Sequence, residues 1–405
     1  MTIEQSRPDY VVDDAIGAGV APAGAHWTDI DRLRESHRYY WSTEGPGYWV
    51  LTRFEDIREA FQDPSTFCNH SIVPTDPDPE YRFLPSFIDP PEHMKYRQLM
   101  NRWFSPASVR KMVPEIEATA RECVEAVVDQ GSCEFTSSFG DRYPVRVFLT
   151  SMGLSTTADA DFFVSCVRRL SLNDVDDPNG GASMEAWGDI AAYWTEAIAD
   201  RHKNPLDPDV DFVTLLTQSK LGGERPVPDD EIRDLCVTLT VGSLDTLKSQ
   251  LGWQLWHLAT HPEDRARIVA DPGLIPSAVE EFLRAYPIVS MARKVTQDVD
   301  FHGCPMKKDD MVLLTIQAAT RDPRVFPNAD EVIIDRTPNR HIAFGASEHR
   351  CLGSHLARAE LQLAIEEWVR LVPDFVVDSD EPLWAKGGQV SLLSLPLVWP
   401  TANAG

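Results

Sequence analysis

The stretch from His341 to Arg358, HIAFGASEHRCLGSHLAR, constrains this chain more than any other. One cysteine, Cys351, lies between a glycine-bearing loop and the start of an apolar helical pattern. Phe344 and Gly345 precede it, Gly353 follows it, and Leu352, Leu356 and Ala357 begin the pattern. A thiolate where a loop meets a helix N-terminus is well placed for metal ligation, because unsatisfied backbone N–H groups and the helix dipole stabilise negative sulfur. Glycines at 345 and 353 leave room for a large flat ligand to approach the backbone. His349 and Arg350 add positive charge beside the sulfur. A buried structural cysteine ahead of a helix is the alternative, and spacing alone does not decide between the two.

The chain has 405 residues and no low-complexity linker or internal repeat, which suggests a partly ordered arm over 1–25 and a single domain over 26–405. Its hydrophobic fraction of 43% suits a soluble globular protein with a sizeable core. No run of about 18 apolar residues exists, and the start lacks a basic-then-apolar leader, so a cytoplasmic monomer off the membrane is expected. Seven cysteines, at 68, 123, 133, 166, 236, 304 and 351, are scattered without paired spacing, which argues against a disulfide framework or a zinc ribbon. The formal net charge of −25 disfavours nucleic acid and anionic membranes as partners. Against it stand Arg340, Arg350 and Arg358 near Cys351, and Lys95, Arg97, Arg102, Arg110 and Lys111 elsewhere. Such a group is either a dock for an acidic partner or a solvated face.

In chain order, Tyr48–Thr52 reads as a strand and Phe54–Gln62 as a short helix stopped by Asp63-Pro64. Residues 68–90 hold five prolines and little periodicity, the mark of a binding loop. Then Asp89-Pro90-Pro91-Glu92-His93 starts a helix that puts His93 and Arg97 on one face, a pair suited to an anion. Helical patterns follow over 106–130 and 155–203. From Pro228-Asp229-Asp230 a pattern runs to Thr260, roughly 45 Å if helical. Leu244, Leu247, Leu251, Leu255 and Leu258 form its core stripe, and Val241-Gly242-Ser243-Leu244-Asp245-Thr246 interrupts it. A mid-helix glycine costs about 1 kcal/mol against alanine and often marks close approach of a ligand. A kink, with Thr246 bonding back to a carbonyl, is the plainer reading. Glu281 and Arg284 read as an i, i+3 pair. Val289–Arg293 reads extended, Asp300–Lys308 as a hairpin, Met311–Ile316 as a strand, Leu352–Leu371 as a helix and Gln389–Leu393 as a last β segment.

The loop FGASEHRCLG resembles the haem-binding loop of the cytochrome P-450 family, and DPPEH-x-x-YR and GSLDT are similar to that family's propionate-binding and distal helices. The resemblance covers nearly the whole chain and is nearest to the soluble bacterial camphor-hydroxylase and monoterpenoid-hydroxylase branch. It implies a mainly α fold with a small β-rich subdomain, a helical prism with haem b between distal and proximal helices. It implies Cys351 as the axial thiolate and metal ligand, with Phe344, Gly345 and Gly353 shaping the cofactor loop. His93, Arg97, Arg293 and His349 would take the propionates, and Asp245 and Thr246 would deliver protons. Glu281, Arg284 and Arg336 would be structural. Tyr81, Phe83, Thr238, Val241, Gly242, Val289, Ser290, Gln389 and Val390 would line the substrate site. Ser347 departs from the family, which usually has a second glycine there; at positive φ a serine costs on the order of 1 kcal/mol.

The activity so implied is insertion of one oxygen atom from O2 into a C–H bond of a small hydrophobic substrate, a camphor- or cineole-like cyclic terpenoid. Electrons would come from NAD(P)H through ferredoxin reductase and ferredoxin. Alternatives are a peroxide-driven peroxygenase of the same fold, or a monooxygenase of a norisoprenoid, steroid or aromatic. A non-catalytic haem sensor would need a signalling or DNA-binding module, and none is visible.

Overall fold

A six-stranded sheet organises the first half of the fold in this computed structural model, which describes residues 10–12, 19–170 and 180–401. The chain packs as two units. The first comprises residues up to Met94, Glu280–Cys351 and Ala385–Val390; the second comprises Lys95–Val279, Leu352–Trp384 and the residues from Ser391 on.

In the first unit the strand order is Val11–Val12, Tyr39–Ser42, Tyr48–Leu51, Met311–Leu314, Met291–Val295, Phe67–Cys68. The central strands Tyr48–Leu51 and Met311–Leu314 pair in parallel, with Leu313 opposite Val50, and every residue of both is buried. Their side chains alternate between two cores, as the two-residue repeat of a strand requires. Trp49, Leu51, Val312 and Leu314 pack with Phe54, Ile57 and Phe61 of the helix Phe54–Gln62. Tyr48, Val50, Met311 and Leu313 face the other way, with Leu33 and Tyr40. The turn before Tyr48 needs glycine: Gly47 has φ +82, and a Cβ there would lie 2.6 Å from the Trp41 ring. The hairpin expected over 300–308 forms from Val299–Phe301 and Cys304–Met306. Its turn residues His302 and Gly303 both have positive φ, matching the twist of the strands.

Helices make most of the second unit: Pro106–Val128, Arg142–Met152, Ala160–Leu170, Gly181–Lys203, Asp229–Thr260 and Ser354–Leu371. Ser105 caps the first of these by accepting from Ser108 N, with Pro106 at the first helical position. Asp229, Asp230 and Glu231 occupy the first turn of the long helix, where the dipole favours acids. Its leucine stripe is buried as read, from Leu244 to Leu258. Trp194 Nε1 donates to Thr240 Oγ1 (2.9 Å), and Lys248 reaches the buried Asp141 (2.7 Å), which also accepts from Arg168.

Three expectations need correction. The long helix is not interrupted: all 32 residues are helical, Gly242 included. Thr238, Thr240, Thr246 and Ser249 each donate to the carbonyl four residues back, so the polar residues are absorbed by the ladder rather than breaking it. The β segment read over 389–393 is shorter, being Ser391–Leu392, because Val390 N instead bonds Ile288 O (2.9 Å), and a further strand, Pro396–Val398, follows it. The final helix starts at Ser354, with Gly353 as its N-cap, not at Leu352. Within the helical pattern read over 155–203, residues 171–179 lie outside the described residues, as do 1–9 and 13–18 of the amino-terminal arm.

Candidate active site

Two short backbone bonds shape the cysteine loop. Gly345 N donates to Ile342 O and Cys351 N to Phe344 O, each at 2.8 Å. Gly345 has φ +71, which a glycine adopts without cost, and a short turn Ser347–His349 leads on to the cysteine. Ser347 does keep the left-handed conformation, with φ +61, and its hydroxyl donates to the Glu348 carboxylate. Among the seven cysteines only Cys351 is exposed. Burial pushes the Cys133 thiol up to about 12 and raises that of Cys236 further. A Cβ on Gly345 or on Gly353 would meet nothing within 4 Å.

Two histidines of the first unit meet at this loop. His93 is buried and stacks on His349, ring centroids 3.9 Å apart. His349 Nε2 stands 3.9 Å from Asp89, beyond hydrogen-bond reach, and Asp89 instead accepts from Asn69 Nδ2 (2.7 Å). Arg293 is 3% exposed. Its guanidinium donates to Ala292 O (2.7 Å) and lies 5.0 Å from the Phe61 ring centroid. Burial pulls its pKa down to about 10, against the opposing pull of Asp89 and Cys68. A buried guanidinium with no carboxylate at ion-pair distance among the described residues suits an anionic group brought by a ligand. Arg97 sits one turn after His93 on the helix Glu92–Asn101 and is half-buried.

Glu281 and Arg284 are fully buried. Arg284 Nε and an outer guanidinium nitrogen donate to the two Glu281 oxygens at 2.8 Å, and Arg336 Nε lies 3.0 Å from both. Arg284 also donates to the carbonyls of Ala329 and Glu331, and Arg336 to those of Pro327 and Asn328. The network thus ties the segment before the cysteine loop to the helix Ile275–Ala285.

The loop over 68–90 is pinned at Ile72, whose carbonyl accepts from Ala292 N, and at Asp78, which pairs with Lys294 (2.6 Å). Tyr81 is 44% exposed and, like Phe83, packs on Phe87. Val289 and Gln389 are half-buried and Val390 is buried. Ser290 Oγ donates to Gln317 Oε1 (2.7 Å), while Gln317 Nε2 donates to Ile288 O (3.1 Å). Gln317 was missed by sequence reasoning. Its signal was one amide following the apolar run Met311–Ile316, and it fixes the backbone beside the expected pocket residues.

On the long helix, Thr238, Val241, Gly242, Asp245 and Thr246 fall at i, i+3, i+4, i+7 and i+8, one face of the cylinder. They are half-buried or exposed, whereas Leu244, Leu247 and Leu251 are buried. A Cβ on Gly242 would meet nothing within 4 Å. A helix buried on its other sides therefore keeps one mixed stripe uncovered. Within the first unit, the exposed Cys351 thiol, the buried Arg293 guanidinium and the open Gly345 suit a large flat anionic cofactor such as haem.

Comparison with known proteins agrees. The profile described as Cytochrome P-450 matches residues 130–271 and 273–379. The chain is 32% identical to a probable cytochrome P-450 127A1 of Sinorhizobium fredii, over 88% of this chain and 84% of that one. It is 31% identical to the mycinamicin IV hydroxylase/epoxidase of Micromonospora griseorubida, over 88% and 90%. The crystal structure of CYP101J2 superposes with a TM-score of 0.87 at 29% identity, covering 99% of this chain and all of that one.

Proposed function

The chain belongs to the cytochrome P-450 family, and on that premise we propose that Cys351 is the thiolate ligand of its haem b and that the substrate is a compact, neutral cyclic terpenoid carrying one oxygen. Membership makes the protein a monooxygenase with haem b as cofactor. Bound through a thiolate, haem supplies the activation of O2.

The residues of this chain then divide the remaining work. The loop bond from Cys351 N to Phe344 O fixes the backbone that carries the sulfur, and the helix start at Ser354 would favour its negative charge on ligation. His93, Arg293 and His349 would hold the propionates, with Arg97 one turn after His93 on the same helix. Thr246 Oγ1 donates to Gly242 O (2.7 Å), so its oxygen is left to accept, and the Asp245 carboxyl beside it supplies the proton. Phe83 and Val289 of the first unit offer an apolar lining, whereas Val390 is fully buried. Ser290 donates its hydrogen to Gln317 Oε1, and we assign the Tyr81 hydroxyl and the Gln389 amide to a substrate oxygen. An apolar lining with one or two donors and no dedicated cation selects a neutral molecule over a fatty acid. Electrons come from NAD(P)H through a ferredoxin reductase and a ferredoxin. Among the described residues no helix is long and apolar enough to cross a membrane.

The observation that carries this reading is Cys351 itself, an exposed thiol between a left-handed loop and a helix N-terminus. Cys351→Ala should remove the red-shifted Soret band that a thiolate ligand gives the reduced carbonyl complex. Retention of that band would end the assignment. Product formed from NADH with a reconstituted ferredoxin chain, and not from peroxide alone, separates the monooxygenase from a peroxygenase.

A further inference from the structure

One cleft takes no part in the chemistry above. It lies within the second unit, among the helices Pro106–Val128, Arg142–Met152 and Ala160–Leu170, and has a volume of about 360 Å³. That volume is in the range of small-molecule sites, about 300–1,000 Å³. Its apolar side is built from Val127, Ala160 and Val164. Ala160 and Val164 are four residues apart, so one helix presents both to the cleft.

The other side is cationic. Arg146 binds the Glu122 carboxylate. Arg142, one turn before Arg146, is exposed and makes no ion pair among the described residues. Two guanidinium groups against one carboxylate leave a surplus positive charge in a chain whose net charge is −25. A cation kept on such an acidic protein, beside a carbon-lined hollow, sets the chemistry of what fits: one negative group and a short apolar body. A planar carboxylate matches the guanidinium fork better than a bare point charge does.

We propose that this cleft is a second ligand site that binds a small amphipathic carboxylate, the carboxylate on Arg142 and Arg146 and the apolar part on Val127, Ala160 and Val164. It does not depend on the identity of the substrate oxidised at the haem.

Calorimetric titration of the haem-loaded protein with octanoate tests it, with imidazole present at saturation so that the haem site is occupied. One octanoate should bind per chain. Arg142→Gln, a change at an exposed side chain, should weaken binding about tenfold through loss of a charge-assisted bond. Ala160→Trp should fill the cleft and abolish binding, with the haem spectrum reporting that the fold is kept. Octanamide and inorganic phosphate, each carrying half of the chemistry, should bind at least about tenfold more weakly than octanoate. Absence of octanoate binding, binding undiminished by Arg142→Gln, or phosphate binding as tightly as octanoate would each overturn the site. Should Ala160→Trp fail to hold haem, Arg142→Gln and the two control ligands decide alone.

Discussion

Ser347 shows how much one residue decides. It holds φ +61, where a side chain costs about 1 kcal/mol and glycine costs little. In partial return its hydroxyl donates to Glu348, and that bond, before other causes, lowers the Glu348 pKa. Ser347→Gly should therefore stabilise the protein by up to about 1 kcal/mol, less the lost bond. The pH dependence follows from the lowered pKa. Stability from the Ser347–Glu348 contact is present above the unfolded pKa of Glu348 and lost as pH falls through the folded one. The advantage of the glycine variant should thus grow on acidification through the carboxylate range. Denaturant midpoints at neutral and acid pH check this; an advantage that shrinks in acid would contradict it. Tyr81 poses a second question at this scale. Its exposure of 44% suits either a surface ring or a residue that meets substrate. Tyr81→Phe removes one neutral hydrogen bond, about 0.5–1.5 kcal/mol, and so should weaken an oxygenated terpenoid roughly 2- to 12-fold. The deoxygenated hydrocarbon should bind both forms alike. Spectral titrations of the two ligands against the two proteins separate the roles.

At the scale of the element, the helix Asp229–Thr260 shows why a glycine and an alcohol need not break a helix. Thr246 returns its hydrogen to Gly242 O, a bond that adds little stability to a helix. Alanine is a better helix former than threonine by up to about 0.7 kcal/mol. Thr246→Ala should accordingly leave stability within about 0.5 kcal/mol of the parent. If the hydroxyl guides protons, the same variant should consume NADH at a comparable rate but release hydrogen peroxide in place of product. Coupling equal to the parent would remove Thr246 from the relay, and a large fall in stability would instead mark it as structural. One substitution thus separates the local role of the residue from the functional role proposed for it.

For the whole molecule, charge sets the terms of association. The chain carries −25, yet Arg340 and Arg350 beside the cysteine loop are exposed. Long-range attraction to an acidic ferredoxin would be local to such residues and screened within about 8 Å at physiological salt. Arg350→Glu should slow reduction by the ferredoxin, and the rate of the parent should fall as ionic strength rises. Stopped-flow reduction over a salt series reads both, with haem content measured first. Rates independent of salt would exclude a basic dock.

Several parts of this protein were legible in the sequence because they depend on neighbours along the chain. The long helix from Asp229 to Thr260, the short helix Phe54–Gln62 and the hairpin Val299–Met306 follow from periodicity, caps and turn residues. The motif around Cys351 was legible for the same reason: its glycines, cysteine and helix start are consecutive. What the sequence could not determine depends on residues far apart in it. Gln317 fixes Ile288 through a bond across 29 residues, and Arg336 meets Glu281 across 55. The cleft on Arg142 and Arg146 needs three helices to exist at all. The interruption expected at Gly242 failed because a local propensity cost of about 1 kcal/mol is small against the burial of a helix on most of its sides. Short-range preference determined which elements form; only tertiary packing decided which side chains meet and which faces stay open.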